Sequence, residues 1–278
     1  MQIGCFIFAT DYAIRTDELA QALEERGFDS LFLPEHTHIP ASRRSPWPGG
    51  GDLPREYWHT HDPFVALSFA ARVTSKLKLG TGICLIAQRD PIVTAKSVAS
   101  LDLLSGGRVI LGVGGGWNVE EMENHGTTYA TRFKILRERV LAMKALWTEE
   151  ESEFHGDFVD FDPVWSYPKP AQTPHPPVIL GGESKYTLQR VVEFCEGWFP
   201  RASDRFDPAE GMAELRKVAE AAGRDVKELQ VSVFRAPPDK QQLERYAQAG
   251  IDRAVLALPS ADRDTVLKLL DEYAPLLE

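Results

Sequence analysis

Cysteine is scarce. Cys5, Cys84 and Cys195 are odd in number, widely spaced and set in apolar segments. They match no metal or redox spacing, which fits a protein of the reducing cytoplasm. No run of about 20 apolar residues occurs, so no membrane span is expected. Met1-Gln2-Ile3-Gly4 leads straight into a strand with no basic stretch before it, so no signal peptide is expected either. Positive charge is also short. A net charge of −10 argues against nucleic acid or an anionic membrane as partner. Finally, the first strand is followed by Ala9-Thr10-Asp11-Tyr12, without the GxGxxG turn that a Rossmann unit would need.

What is present is a regular alternation. The 278 residues are 43% apolar, ample for a core. Strands are predicted over Ile3–Ala9, Ser30–Leu33, Leu77–Ile86, Val109–Val113, Val178–Leu180, Gly197–Phe199, Gln230–Phe234 and Arg253–Leu258. Helical stripes lie between them, such as Thr16–Arg26 with Leu19 and Leu23 on one face and Gly27 as its stop. Eight strands alternating with helices predict a parallel sheet, and at this length a closed (β/α)8 TIM barrel rather than an open sheet. Two insertions stand out. A long loop, His36–Asp62, follows strand 2, and a small hairpin over Glu151–Phe161 precedes strand 5. The whole of 1–278 reads as a single domain. In such barrels the site lies where the strands end.

Several residues fall at those ends. Val178-Ile179-Leu180 is a buried-strand run, Gly181 and Gly182 permit a tight turn, and Glu183–Gln189 reads as the start of a helix. Strand, two glycines and helix N-terminus form either an anion cradle or an ordinary connection. Ser184 and Thr187 would share a face there. Gly80 and Gly82 interrupt strand 3, and Gly114-Gly115-Gly116-Trp117 follows strand 4. His36 ends strand 2 beside Glu35, where a histidine either shuttles a proton or merely caps a loop. His36-x-His38 and His59-x-His61 invite a metal reading, but both pairs sit on the loop after strand 2, and no metal is expected. Trp47, Trp58 and Trp117, with Tyr57, are either a substrate wall or loop packing.

Leu79–Ile83 (LGTGI), Asp90–Trp117 (DPIVTAKSVASLDLLSGGRVILGVGGGW), Phe154–Phe161 (FHGDFVDF) and Gly181–Thr187 (GGESKYT) resemble the luciferase-like barrel oxidoreductases over essentially the whole chain. The long second segment is most similar to the branch that uses the deazaflavin coenzyme F420, and the other members use FMN. The resemblance implies a (β/α)8 barrel, often a homodimer. It implies that Gly181, Gly182, Ser184 and Thr187 hold the cofactor phosphate with Glu183 nearby. It places Thr81, Gly82 and Ile83 in a bulge under the central ring, with a non-prolyl cis peptide at Gly82-Ile83, and lets Gly114, Gly115 and Gly116 bring backbone close to the ring. It also implies that His36 sits near the hydride-transferring carbon. Trp117 and Thr10 stand where the sugar-phosphate dehydrogenases of that branch carry glutamates, which points away from sugar phosphates. With Trp47 and Trp58 it points to a small, apolar or aromatic organic substrate. The expected activity is hydride transfer with F420, the alternative being an FMN-dependent monooxygenase. More distant alternatives are a metal-dependent barrel hydrolase and a non-catalytic flavin-binding protein. Arg43, Arg44, Arg201, Arg205, Arg235 and Lys240 are either solvated charges or partners for an acidic cofactor tail.

Overall fold

In the computed structural model, which describes residues 1–203 and 206–278, eight parallel strands close into a barrel. In chain order the strands are β1 (Gln2–Phe6), β2 (Ser30–Leu33), β3 (Lys78–Thr81), β4 (Val109–Val113), β5 (Ser152–His155), β6 (Asp160–Val164), β7 (Val178–Gly181), β8 (Gly197–Phe199), β9 (Gln230–Ala236) and β10 (Arg253–Ala257). The barrel runs β1-β10-β9-β8-β7-β4-β3-β2, while β5 and β6 form a separate antiparallel pair. The (β/α)8 barrel is as the sequence predicts, the segment after β2 carries one helical turn, Glu56–His59, and the hairpin before the fifth barrel strand runs to Val164 rather than Phe161. The turn of that hairpin is held from outside, because the Glu138 carboxylate accepts the backbone N–H groups of Asp157, Phe158 and Val159. Among the described residues, no helix is long and apolar enough to cross a membrane.

The helices begin and end where local chemistry requires. Asp90 accepts the backbone N–H of Val93 at 2.8 Å, and Pro91 fills the first helical position of Pro91–Ser105. Gly27, at φ +88°, closes Thr16–Arg26 by returning its N–H to the last carbonyls.

The largest boundary differences from the sequence reading are three. β1 stops at Phe6 rather than Ala9. β3 stops at Thr81 rather than Ile86, and beyond it Cys84 rejoins β4 only through a single bridge to Val113 before a short 3-10 turn at Ile86–Gln88. The helix expected from Glu183 begins only at Thr187. Glu183–Tyr186 forms a turn instead, closed by the Thr187 N–H on the Ser184 carbonyl at 2.8 Å. In the two strands the apolar character continues past the point where the ladder stops, so hydrophobicity alone overruns the strand ends.

Two cores result. The larger one lies between the sheet and its helices. The smaller one fills the barrel interior with Phe6, Phe8, Phe32, Ile110, Ile179, Phe199 and Val255. Phe32 fits only because Gly80 faces it, since a Cβ on Gly80 would stand 2.3 Å from the Phe32 ring. Phe32 is fully buried and has nowhere to move. Gly80→Ala should therefore destabilise the fold by about 1–3 kcal/mol through overpacking, measured as a lower denaturant midpoint with an unchanged slope. An unaltered midpoint would show that the interior is looser than this packing.

Candidate active site

A cavity of about 360 Å³ opens above the barrel interior at the C-terminal ends of the strands. Phe6, Phe199 and Phe234 belong to or pack on the interior cluster and also line the cavity, so they form its floor. Gly82 and Ile83 follow β3, Gly114–Trp117 follow β4, and Gly181 and Gly182 follow β7; all line the walls. The Gly82–Ile83 peptide is cis. The walls leave no room for side chains: a Cβ on Gly114 would lie 2.8 Å from Ile83 Cδ1, and one on Gly115 2.8 Å from the Phe133 ring. Gly182 has φ +125°, backbone that only glycine adopts readily.

The loop after β2 covers one side. His36 Nδ1 meets Glu121 Oε2 at 2.8 Å, with both side chains nearly or wholly buried. Donation from Nδ1 to the carboxylate leaves Nε2 as the free ring nitrogen. The His36 ring also packs near Tyr57 and Trp117, at 5.3 and 5.9 Å between centroids. The sequence suggests Glu35 as the carboxylate for His36. In the structure Glu35 accepts the backbone N–H of Leu85 and pairs with Arg89, and Glu121 takes that place. Glu121 comes from a short helix, Val119–Asn124, that hydrophobic periodicity does not reveal. The available signal was Asn118 followed three residues later by Glu121, a helix-start spacing; the Asn118 side chain does accept the Glu121 N–H.

The sequence-derived residues divide between two places. Gly82, Ile83, Gly114, Gly115, Gly116, Trp117, Gly181, Gly182 and His36 converge on the central cavity. Glu183, Ser184 and Thr187 line a second cavity of about 430 Å³, bounded on its far side by the Pro208–Ala221 helix. There the Ser184 and Thr187 hydroxyls meet at 2.9 Å. Thr81 is buried and donates to the Gly112 carbonyl at 2.7 Å; it lines neither cavity. Of the loop aromatics, Tyr57 lines the central cavity, Trp47 stands behind it with centroids 5.9 Å apart, and Trp58 is half exposed beside His59. His38 is hydrogen-bonded to Asn124, and His59 to Asp11. Arg205 lies outside the described residues.

Residues 1–272 match the family described as luciferase-like monooxygenase. The chain belongs to that family. An uncharacterised Mycobacterium tuberculosis protein is 38% identical to this luciferase-like chain over 278 residues, covering 99% of it and 98% of the relative. The F420-dependent hydroxymycolic acid dehydrogenase of M. tuberculosis is 29% identical, covering 80% of this chain and 59% of its own. The FMNH2-dependent dimethylsulfone monooxygenase of Pseudomonas putida is 30% identical, covering 64% and 49%. Among solved structures, a monooxygenase from Streptomyces bottropensis has a TM-score of 0.78 at 20% identity, covering 100% of this chain and 98% of its own, a likeness of fold.

The short helix that supplies Glu121 also holds the loop as a strap. Glu120 is buried and accepts the Ser45 N–H at 2.9 Å and its hydroxyl at 2.5 Å, while Glu123 pairs with Arg44. Burial alone would raise the Glu120 carboxyl, but the Ser45 hydrogen bonds outweigh it and hold the group at about 2, below its ordinary 4.5. A depressed folded value stabilises the strap fully above the unfolded value, and that contribution is lost as pH falls from about 4.5 toward about 2. Amide exchange in 37–62 should accelerate selectively over that window, and Ser45→Ala should move the onset to higher pH. Exchange that rises uniformly across the barrel would contradict this anchor.

Proposed function

We propose that this chain is an F420-dependent oxidoreductase. It transfers a hydride between the deazaflavin and a small, apolar or aromatic organic substrate. The observation that carries the reading is the central cavity, a slot walled by glycine backbone over an aromatic floor, which suits a planar ring system. The second cavity, lined by Ser184 and Thr187 just beyond Gly182 in the chain, suits the phosphate that follows the ring. The similarity to the F420-dependent hydroxymycolic acid dehydrogenase adds to this.

When bound, the deazaflavin supplies or accepts a hydride at its C5 carbon. Gly114–Gly116, Gly181 and Gly182 would hold the ring by close backbone approach, with Gly82 and Ile83 beneath it. Glu183 holds the β7–helix turn against the β8 exit by accepting the Arg201 backbone N–H at 2.7 Å. Glu121 orients the His36 imidazole, so that Nε2 takes or returns the proton that accompanies the substrate's change of oxidation state. Trp117 and Tyr57 keep water from that face. A second reading, an FMN-dependent monooxygenase, is favoured by the FMNH2-dependent relative, and a slot of this shape would suit either ring.

Competitive titration decides between them. F420 should bind at micromolar concentration or tighter and displace FMN, and His36→Ala should lower turnover by about 10²–10⁴-fold with cofactor affinity retained. Tight FMN binding with no detectable F420 binding would replace this reading by the second.

We also infer that the whole of 1–278 acts as one unit and pairs as a homodimer. Support comes from two neighbouring helices, Pro63–Val73 and Pro91–Ser105, whose outer faces expose Val65, Phe69, Val73, Ile92, Val93 and Leu104. Exposed apolar side chains gathered on two neighbouring helices suit an interface, and the occupant consistent with the family is a second copy. The mass in solution by light scattering should be twice that of the chain; the mass of one chain would exclude the pairing.

A further inference from the structure

Two arginines stand at neighbouring strand exits on the rim of the central cavity, and they are not equivalent. Arg201 follows β8, and its guanidinium pairs with Glu183 at 3.0 Å, so its charge is answered within the protein. Arg235 lies in β9, exposed and lining the cavity. Among the described residues it has no acidic partner and no side-chain hydrogen bond. Its guanidinium carbon stands 5.8 Å from the centroid of Phe6, a residue of the cavity floor.

The backbone at Arg235 is also unusual. Val255 pairs with Phe234 and Leu256 pairs with Ala236, so Arg235 is the extra residue of a bulge. Its φ is +55°, and Arg43 is the one other non-glycine residue with positive φ among those described. Glycine adopts this conformation without steric cost, and this chain does place glycine at the exits of β3, β4 and β7. An arginine at such a position carries a steric cost that glycine would avoid, and its side chain is what it adds there. The bulge re-aims that side chain to the cavity mouth.

A guanidinium offers a planar fork of donors that matches a carboxylate or a phosphate. Beneath it the floor is aromatic. A ligand that satisfies both has an apolar body and an oxyanion at one end. We propose that Arg235 is an anion-binding residue at the cavity mouth, selecting for ligands with such an oxyanion. The proposal rests on the cavity being the active site, and the oxyanion belongs either to the substrate or to the acidic tail of the cofactor.

Two ligand pairs separate these sources. Benzoate and benzamide differ in charge on one aromatic body, and F420 and its chromophore without phosphate and glutamates differ in the tail. Binding of each to the cofactor-free protein is measured by calorimetry. Wild type should prefer the charged member of at least one pair. Arg235→Gln and Arg235→Gly should both weaken that member by about 10–100-fold and leave its neutral counterpart within about twofold. Loss on benzoate assigns the oxyanion to the substrate, and loss on F420 assigns it to the cofactor. Arg235→Gly should keep or raise the melting temperature, because glycine relieves the positive φ. Arg201→Gln should have a smaller effect, since Glu183 already answers that charge. No charge preference in wild type, or equal weakening of both members of a pair in both variants, would overturn the proposal. Retained preference for benzoate without binding of F420 or FMN would instead remove the cofactor reading and leave this one standing.

Discussion

The aromatic filling of the barrel interior is the constraint on which the site depends. Phe32 occupies the space that Gly80 vacates, and Phe6, Phe199 and Phe234 close the barrel above it. With the interior plugged, a ligand can enter only at the strand exits. The exits of β3, β4 and β7 are glycine, and that makes the space above the plug a slot rather than a packed layer. Cavity and core are therefore one arrangement: the same rings that stabilise the barrel are the surface on which a planar molecule would rest.

Much of this could be read from the chain. The alternation of strands and helices, the caps at Asp90 and Gly27, and the glycine runs carry local signals that survive folding unchanged. Tertiary pairings were less legible. Glu35 stands next to His36 in sequence, but successive residues of an extended segment face opposite ways, so Glu35 turns to Arg89 and His36 to a carboxylate 85 residues later. Trp58 looks like a pocket residue by type, yet on a single helical turn, Glu56–His59, its neighbour Tyr57 faces inward. The Gly181–Thr187 stretch has the composition of a helix start, but Gly182 and the Ser184–Thr187 contact close a turn first.

Charge is distributed with similar economy. The chain is acidic overall, and many of its acids serve as acceptors for backbone or loop groups: Glu24 for Ser75–Leu77, Glu138 for the hairpin turn, Asp102 for Gln172, Glu120 for Ser45. These four carboxylates act as fasteners between segments separated in sequence, each accepting from more than one donor.

The short helix Val119–Asn124 has a mechanical consequence. Adjacent residues on it hold two different things, Glu120 the covering strap at Ser45 and Glu121 the imidazole at His36. A six-residue helix cannot tilt at one position and stay still at the next. A displacement of that helix would therefore disturb the loop and the imidazole together. The placement of the covering loop and the orientation of the His36 ring thus rest on one small part.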